Sequence, residues 1–136
     1  MIVKRPAVVV DRNPQSETFL SIVTFVPIAR WRDVLSSFKL SNQVEVQLRR
    51  SSGIVAYSLA VNPLRRHFWT YSVWSDRTAV PAFTRTEPHA TAIERFKDWA
   101  GEGSAFVEWE SIEAKLDWNE AFERLKQPTF YYNKTA

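Results

Sequence analysis

The chain has 136 residues, 45% hydrophobic and 24% charged, a size and balance suited to one globular domain with its own core. It has no cysteine, which excludes disulfides, thiolate catalysis, zinc ribbons and iron–sulfur clusters. A formal charge of +3 from 18 basic and 15 acidic residues sits largely in the pairs Lys4-Arg5, Arg49-Arg50 and Arg65-Arg66, at element ends rather than on one basic face, so no nucleic-acid partner is expected.

In MIVKRPAVVVDRNP the basic and apolar residues come in the wrong order for a secretory signal, so residues 1–17 read as an extended arm. No run approaches the roughly 20 apolar residues that span a bilayer, so no membrane partner is expected and a cytoplasmic protein is. Ala7 to Val10 suits a short edge strand between Pro6 and Pro14. Thr18 to Val26 is nearly all β-branched or aromatic, a buried-strand composition that Pro27 ends. Trp31, Val34, Leu35 and Phe38 then recur at helical spacing. Ser41 reads as an N-cap opening a second piece through Val44 and Leu48, which predicts a helix broken near Lys39-Leu40.

Ser51-Ser52-Gly53 stops that helix, the glycine suiting a left-handed cap. Ile54–Val61 and Phe68–Trp74 flank a turn and predict a hairpin. Ser75 or Asp76 caps a helix carrying Ala79, Ala82 and Phe83, and Pro81 bends it or delays its start. A further helix opens near Pro88, with Ala92, Ile93, Phe96 and Trp99 along one side. Ala105–Glu110 is the fourth strand and Trp118–Lys126 a short amphipathic helix. The aromatic tail at Thr129–Tyr132 is expected to pack on the body or on a partner.

The order β-α-β-β-α-β is that of an α+β, ferredoxin-like sandwich, and residues 18–136 read as a single domain. The first full strand is apolar on both sides, with Phe19, Val23 and Phe25 on one and Leu20, Ile22 and Val26 on the other. Helices cover one face. Too little chain is left over for the other, so a second copy is the expected cover: a homodimer joined through the sheet face, forming a dimeric α/β barrel.

The run Phe68-Trp69-Thr70-Tyr71-Ser72-Val73-Trp74-Ser75-Asp76, with Ala82-Phe83 and His89 after it, resembles the dimeric α/β-barrel superfamily. Within it the chain is most similar to antibiotic-biosynthesis monooxygenase-like and spheroidene monooxygenase-like proteins. The likeness spans roughly residues 18 to 111 and takes in Ser51-Ser52-Gly53 and Val107-Glu108-Trp109-Glu110. It implies a cofactor-independent monooxygenase, with haem binding as the alternative. The haem degraders of the superfamily carry a ligating histidine about four residues beyond the position matched by His89; here that slot falls near Ile93, which cannot ligate.

An aromatic content of 14% suits a core and equally a pocket for a flat apolar ligand. His89, at a helix start, is the candidate catalytic base or axial ligand, set against a capping role in its own turn. Trp31, Phe38, Tyr57, Trp69, Tyr71, Trp74 and Phe83 are the candidate substrate-binding residues in a pocket between sheet and helices. Sequence does not say which face of the Phe68–Trp74 strand meets that pocket. His67 is expected at a solvated edge, and Glu108 and Glu110 at an exposed edge or in a salt bridge to the Arg65-Arg66 turn. No metal set emerges. The leading reading is an oxygenase acting on a small flat apolar substrate; the alternatives are a haem protein and a non-enzymatic dimer that binds a small ligand.

Overall fold

The computed structural model describes residues 1–133. Seven antiparallel strands form one sheet with four α-helices. The strands are β1 (Val3–Lys4), β2 (Val8–Val9), β3 (Phe19–Pro27), β4 (Ile54–Asn62), β5 (His67–Trp74), β6 (Ser104–Ser111) and β7 (Phe130–Asn133). The helices are α1 (Val34–Arg49), α2 (Ala79–Arg85), α3 (His89–Trp99) and α4 (Trp118–Arg124). The four long strands lie in the order β4-β5-β3-β6, the ferredoxin-like arrangement expected from β-α-β-β-α-β, while the arm strands β1 and β2 pair with β4 at one edge and β7 with β6 at the other. No helix among the described residues is long and apolar enough to cross a membrane.

Local chemistry sets most boundaries. Gly53, at φ 86°, takes the left-handed turn that ends α1, and a side chain there would also run into Ala79. Asp76 accepts from the Thr78 backbone N–H and hydroxyl, which turns the chain out of β5 and depresses its own carboxyl pKa. Pro81 lies in the first turn of α2, where its missing N–H costs nothing. Asp117 caps α4 by accepting from Asn119 and Glu120 N–H. The predicted break in α1 is absent. A 3-10 turn at Trp31–Asp33 leads into one continuous helix, because Lys39-Leu40-Ser41 contains neither proline nor glycine and Ser41 has no chain end to cap.

The strand period of two sorts the residues of the sheet onto its faces. One face carries the register rows Ala60–Trp69–Phe25–Ala105, Ser58–Tyr71–Val23–Val107 and Ala56–Val73–Ser21–Trp109. Apart from half-buried Phe25 these rows are buried, Val23 and Val73 completely, and α4 closes them. Ala121 is wholly enclosed, Trp118 lies edge-on to Tyr71 at 5.3 Å and Phe122 edge-on to Trp69 at 5.5 Å. The Arg124 guanidinium sits 4.7 Å over Trp109. Trp118 Nε1 donates to Ser58 Oγ at 3.2 Å, so the indole is satisfied where it packs.

This corrects the expectation that nothing in the chain is left to cover that face. Residues 114–125 cover it, and the argument for a homodimer through the sheet face loses its premise. His67 is corrected too: it is half-buried, edge-on between Phe25 (5.0 Å) and Trp69 (5.8 Å), rather than at a solvated edge. The tail packs on the body as β7 against β6.

Tyr71 joins sheet to cap. Its hydroxyl donates to the Lys115 carbonyl at 3.5 Å and accepts from the Asp117 N–H at 3.2 Å, just ahead of α4. Tyr71→Phe leaves both backbone groups without this partner at a buried joint, so we expect a loss of about 1–2 kcal/mol in urea unfolding with an unchanged far-UV spectrum. An unaltered midpoint would mean that α4 is held by its rings alone.

Candidate functional site

The opposite face of the sheet meets α1, α2 and α3, and it is unevenly covered. Its rows are Ile54–Trp74–Leu20–Glu110, Tyr57–Ser72–Ile22–Glu108, Leu59–Thr70–Thr24–Phe106 and Val61–Phe68–Val26. The Trp74 row is sealed: Leu20, Ile54 and Trp74 pack with Leu48 of α1 and with Ala79, Val80 and Phe83 of α2. Farther along the strands the cover thins. Ile22, Thr24, Val26, Phe68, Ser72 and Phe106 are half-buried, and Thr70, in the middle of an inner strand, is exposed. A residue so placed is open to water where the helices leave the sheet uncovered, and this open stretch along β3 and β5 is termed the trough.

Trp74 and Phe83 rings lie 5.5 Å apart at the sealed end, and Phe83 meets His89 at 4.7 Å. Trp74 Nε1 donates to Ser72 Oγ at 2.8 Å, so this aromatic line reaches the trough floor through a hydrogen bond. At the other end Phe38 lies edge-on to Phe68 at 4.9 Å and Arg66 covers Trp31 at 5.0 Å. Phe38, Trp74, Phe83 and His89 therefore share one side of the sheet, while Trp31 is largely exposed beside the Arg66 turn. Trp69 and Tyr71 do not: they lie under α4 and cannot line a pocket between sheet and helices.

Tyr57 is on the helix side but is committed elsewhere. Its hydroxyl donates to Glu45 at 2.7 Å and accepts from Arg49 Nε, and Glu45 also pairs with Arg49 at 2.8 Å and Arg5 at 3.3 Å. Burial raises the phenol pKa. Burial also works to raise that of Glu45, but the hydrogen bonds and positive charges around it win and hold it low. Tyr57 is thus a neutral link between β4, α1 and the N-terminal arm. Glu108 and Glu110 pair with Arg77, at 3.3 and 3.1 Å, and not with the Arg65-Arg66 turn, because α2's approach passes over β6 while that turn lies at the other end of β5.

His89 is held through both its backbone and its ring. Its N–H donates to Gln47 Oε1 at 2.9 Å, and ring Nδ1 lies 3.3 Å from the Thr84 carbonyl. A carbonyl only accepts, so Nδ1 carries the proton and Nε2 keeps its lone pair, with no hydrogen-bond partner among the described residues. Burial lowers the imidazole pKa against the opposing pull of Thr84, which keeps the ring neutral at pH 7. Gln47, which sequence reasoning missed, also donates to the Phe83 and Thr86 carbonyls at 2.9 and 3.1 Å and so staples the α2–α3 turn to α1. Nothing in the sequence sets it apart from Asn42 and Gln43 of the same helix.

Hollows of about 370 and 270 Å³ lie beside α4, the first against Glu108 and Arg124, the second against Trp109 and Asp117. Neither touches a nominated residue. No group of three His, Cys, Asp or Glu among the described residues could hold a metal. Haem held as in the haem degraders does not fit the residues present, because Ile93 stands in the ligating slot and cannot ligate.

No family model and no curated protein sequence matches the chain. Solved structures do. An antibiotic biosynthesis monooxygenase superposes with TM-score 0.61 at 18% identity over 69% of this chain and 99% of its own. SnoaB, a cofactor-independent oxygenase from Streptomyces nogalater, gives 0.52 at 10% identity over 74% and 97%. A Fusobacterium nucleatum protein gives 0.66 at 11% identity over 98% of this chain and 56% of its own. The chain thus has the fold of the antibiotic-biosynthesis monooxygenases, as its strand–helix junction suggested, and carries about a third of its length beyond what the first of these shares.

The neutral His89 gives a pH dependence with a definite sign. Its folded pKa lies below that of the unfolded chain, and burial lowers that of His67 in the same way, helped by Arg65 and Arg66. Below about pH 6.5 the unfolded chain binds protons that the folded chain refuses, so stability falls with pH through that range and is flat above it. His89→Gln should flatten part of this slope in thermal melts between pH 5 and 8. A slope unchanged by the substitution would show that His89 titrates as it does in water.

Proposed function

We propose that the trough takes a small, flat, largely apolar aromatic molecule and that the chain oxygenates it with O₂ and no bound cofactor. The observation that carries this reading is the solvent-open centre of the sheet at Thr70, on the same side as a neutral imidazole whose Nε2 is free. The fold shared with a cofactor-independent oxygenase supports it.

The chemistry balances without a reductant. His89 Nε2 takes a proton from an activated R₂CH₂ carbon, or from a phenol that delivers charge to its ring carbon. The carbanion passes an electron to O₂, the radical pair couples to a peroxide anion, and the imidazolium returns its proton to give R₂CHOOH. Loss of water leaves R₂C=O, so R₂CH₂ + O₂ gives R₂C=O + H₂O, with the four electrons that O₂ gains all supplied by the substrate. The protein contributes a base, a partly dry surface and orientation. Trp74 and Phe83 form the closed end against which the ring system stops, and Phe38 and Trp31 the open end.

The test is oxygen uptake with a panel of phenols and anthrone-like compounds. His89→Ala should lower kcat by roughly a hundredfold or more while the melting temperature at pH 8 stays close to that of the parent. Equal turnover in the variant would remove His89 from the mechanism. Ligand binding without oxygen uptake would leave a non-enzymatic binding protein, and a Soret band on adding hemin would revive the haem reading.

A further inference from the structure

We infer that Thr24 and Thr70 form an oxygen-binding pair in the trough floor, and that they select planar aromatic ligands bearing a phenolic hydroxyl or quinone-type carbonyl. The inference rests on the reading that the trough binds a ligand, and it adds what that ligand must present.

Thr24 and Thr70 are direct cross-strand partners on β3 and β5, in the row Leu59–Thr70–Thr24–Phe106. Side chains so paired have Cβ atoms roughly 4.5–5.5 Å apart, close enough for both hydroxyls to reach one ligand oxygen. Their surroundings on this face are mainly hydrocarbon: Leu59 and Phe106 in the same row, Ile22, Val26 and Phe68 in the adjoining rows, with Ser72 and Glu108 as polar neighbours. Two paired hydroxyls in the middle of such a surface can orient a flat ligand.

The pair also differs from Ser58, Ser72 and Ser21 of the central sheet. Ser58 donates to the Arg5 carbonyl and accepts from Trp118, Ser72 accepts from Trp74, and Ser21 bonds Tyr71. Among the described residues Thr24 and Thr70 make no side-chain hydrogen bond, and no buried side-chain N or O there lacks a partner, so neither hydroxyl is sealed from solvent. Threonine is a good strand former and one exposed threonine needs no explanation. An adjacent pair, both unpartnered and both at the one opening of an inner strand, is a different matter. Each hydroxyl can donate to a carbonyl, or donate to and accept from a phenol, so the pair suits both the reduced and the oxidised form of an aromatic substrate.

The experiment is equilibrium dialysis of the intact chain under nitrogen with 2-naphthol, 1,4-naphthoquinone and naphthalene. Wild type should prefer the two oxygenated probes. Thr24→Val and Thr70→Val are near-isosteric and keep strand propensity, so each should fold as the parent does by circular dichroism. Each should weaken the oxygenated probes roughly threefold to tenfold, the double variant should erase the preference, and naphthalene should bind equally throughout. A preference that survives in the double variant would overturn the pair, as would a wild type with no preference or no binding. Oxygen is absent, so a protein that binds selectively and never turns over still supports the pair while sinking the oxygenase reading.

Discussion

The far face of the sheet decides how the rest of the chain is used. A sheet with apolar residues of both parities must have both faces withdrawn from water, and three helices on one side handle only one of them. Here α4 supplies the other cover from within the chain. Trp118 and Phe122 lie on Tyr71 and Trp69, Ala121 fits with no exposure, and Tyr71 grips the backbone just ahead of the helix. Each buried ring is worth about 2–3 kcal/mol on transfer grounds. The far side is therefore where stability is concentrated, and the helix side is free to be incomplete.

That incompleteness is local. At the Trp74 end the helices meet the sheet through Leu48, Val80 and Phe83, and Gln47 pins the α2–α3 turn with three hydrogen bonds. Arg77 ties the approach to α2 onto β6 through two carboxylates. These contacts hold His89 and Phe83 in fixed relation to Trp74. Beyond them, Thr70 opens to water although it lies on an inner strand. A rigid anchor beside an open floor is the arrangement in which a ligand can be oriented without the scaffold reorganising.

Much of the fold was legible in sequence because its signals are local. The β-branched and aromatic runs, Gly53 and Pro81 mark elements through backbone preferences that act within a few residues. The misread break at Lys39-Leu40 shows the limit: a serine resembles an N-cap wherever it stands, and only the continuous helix shows that no end exists there. The site was less legible. Alternation grouped Trp69 with Tyr71 and Trp74 with Ser72, but no local rule says which group faces helices, and pooling both produced a pocket list that spans two sides of the sheet.

By itself, then, the sequence determined the four long strands, their antiparallel order and the sharing of faces, which follow from periodicities of 2 and 3.6 residues. Tertiary structure alone decided what each face meets. Whether α4 or a second copy closes the far side depends on whether a short helix can bring Trp118 and Phe122 to a sheet some fifty residues earlier in the chain. Gln47 finds His89 forty-two residues away, and Thr24 finds Thr70 through strand register. Such pairings depend on how elements pack in space, and a one-dimensional pattern carries no record of that.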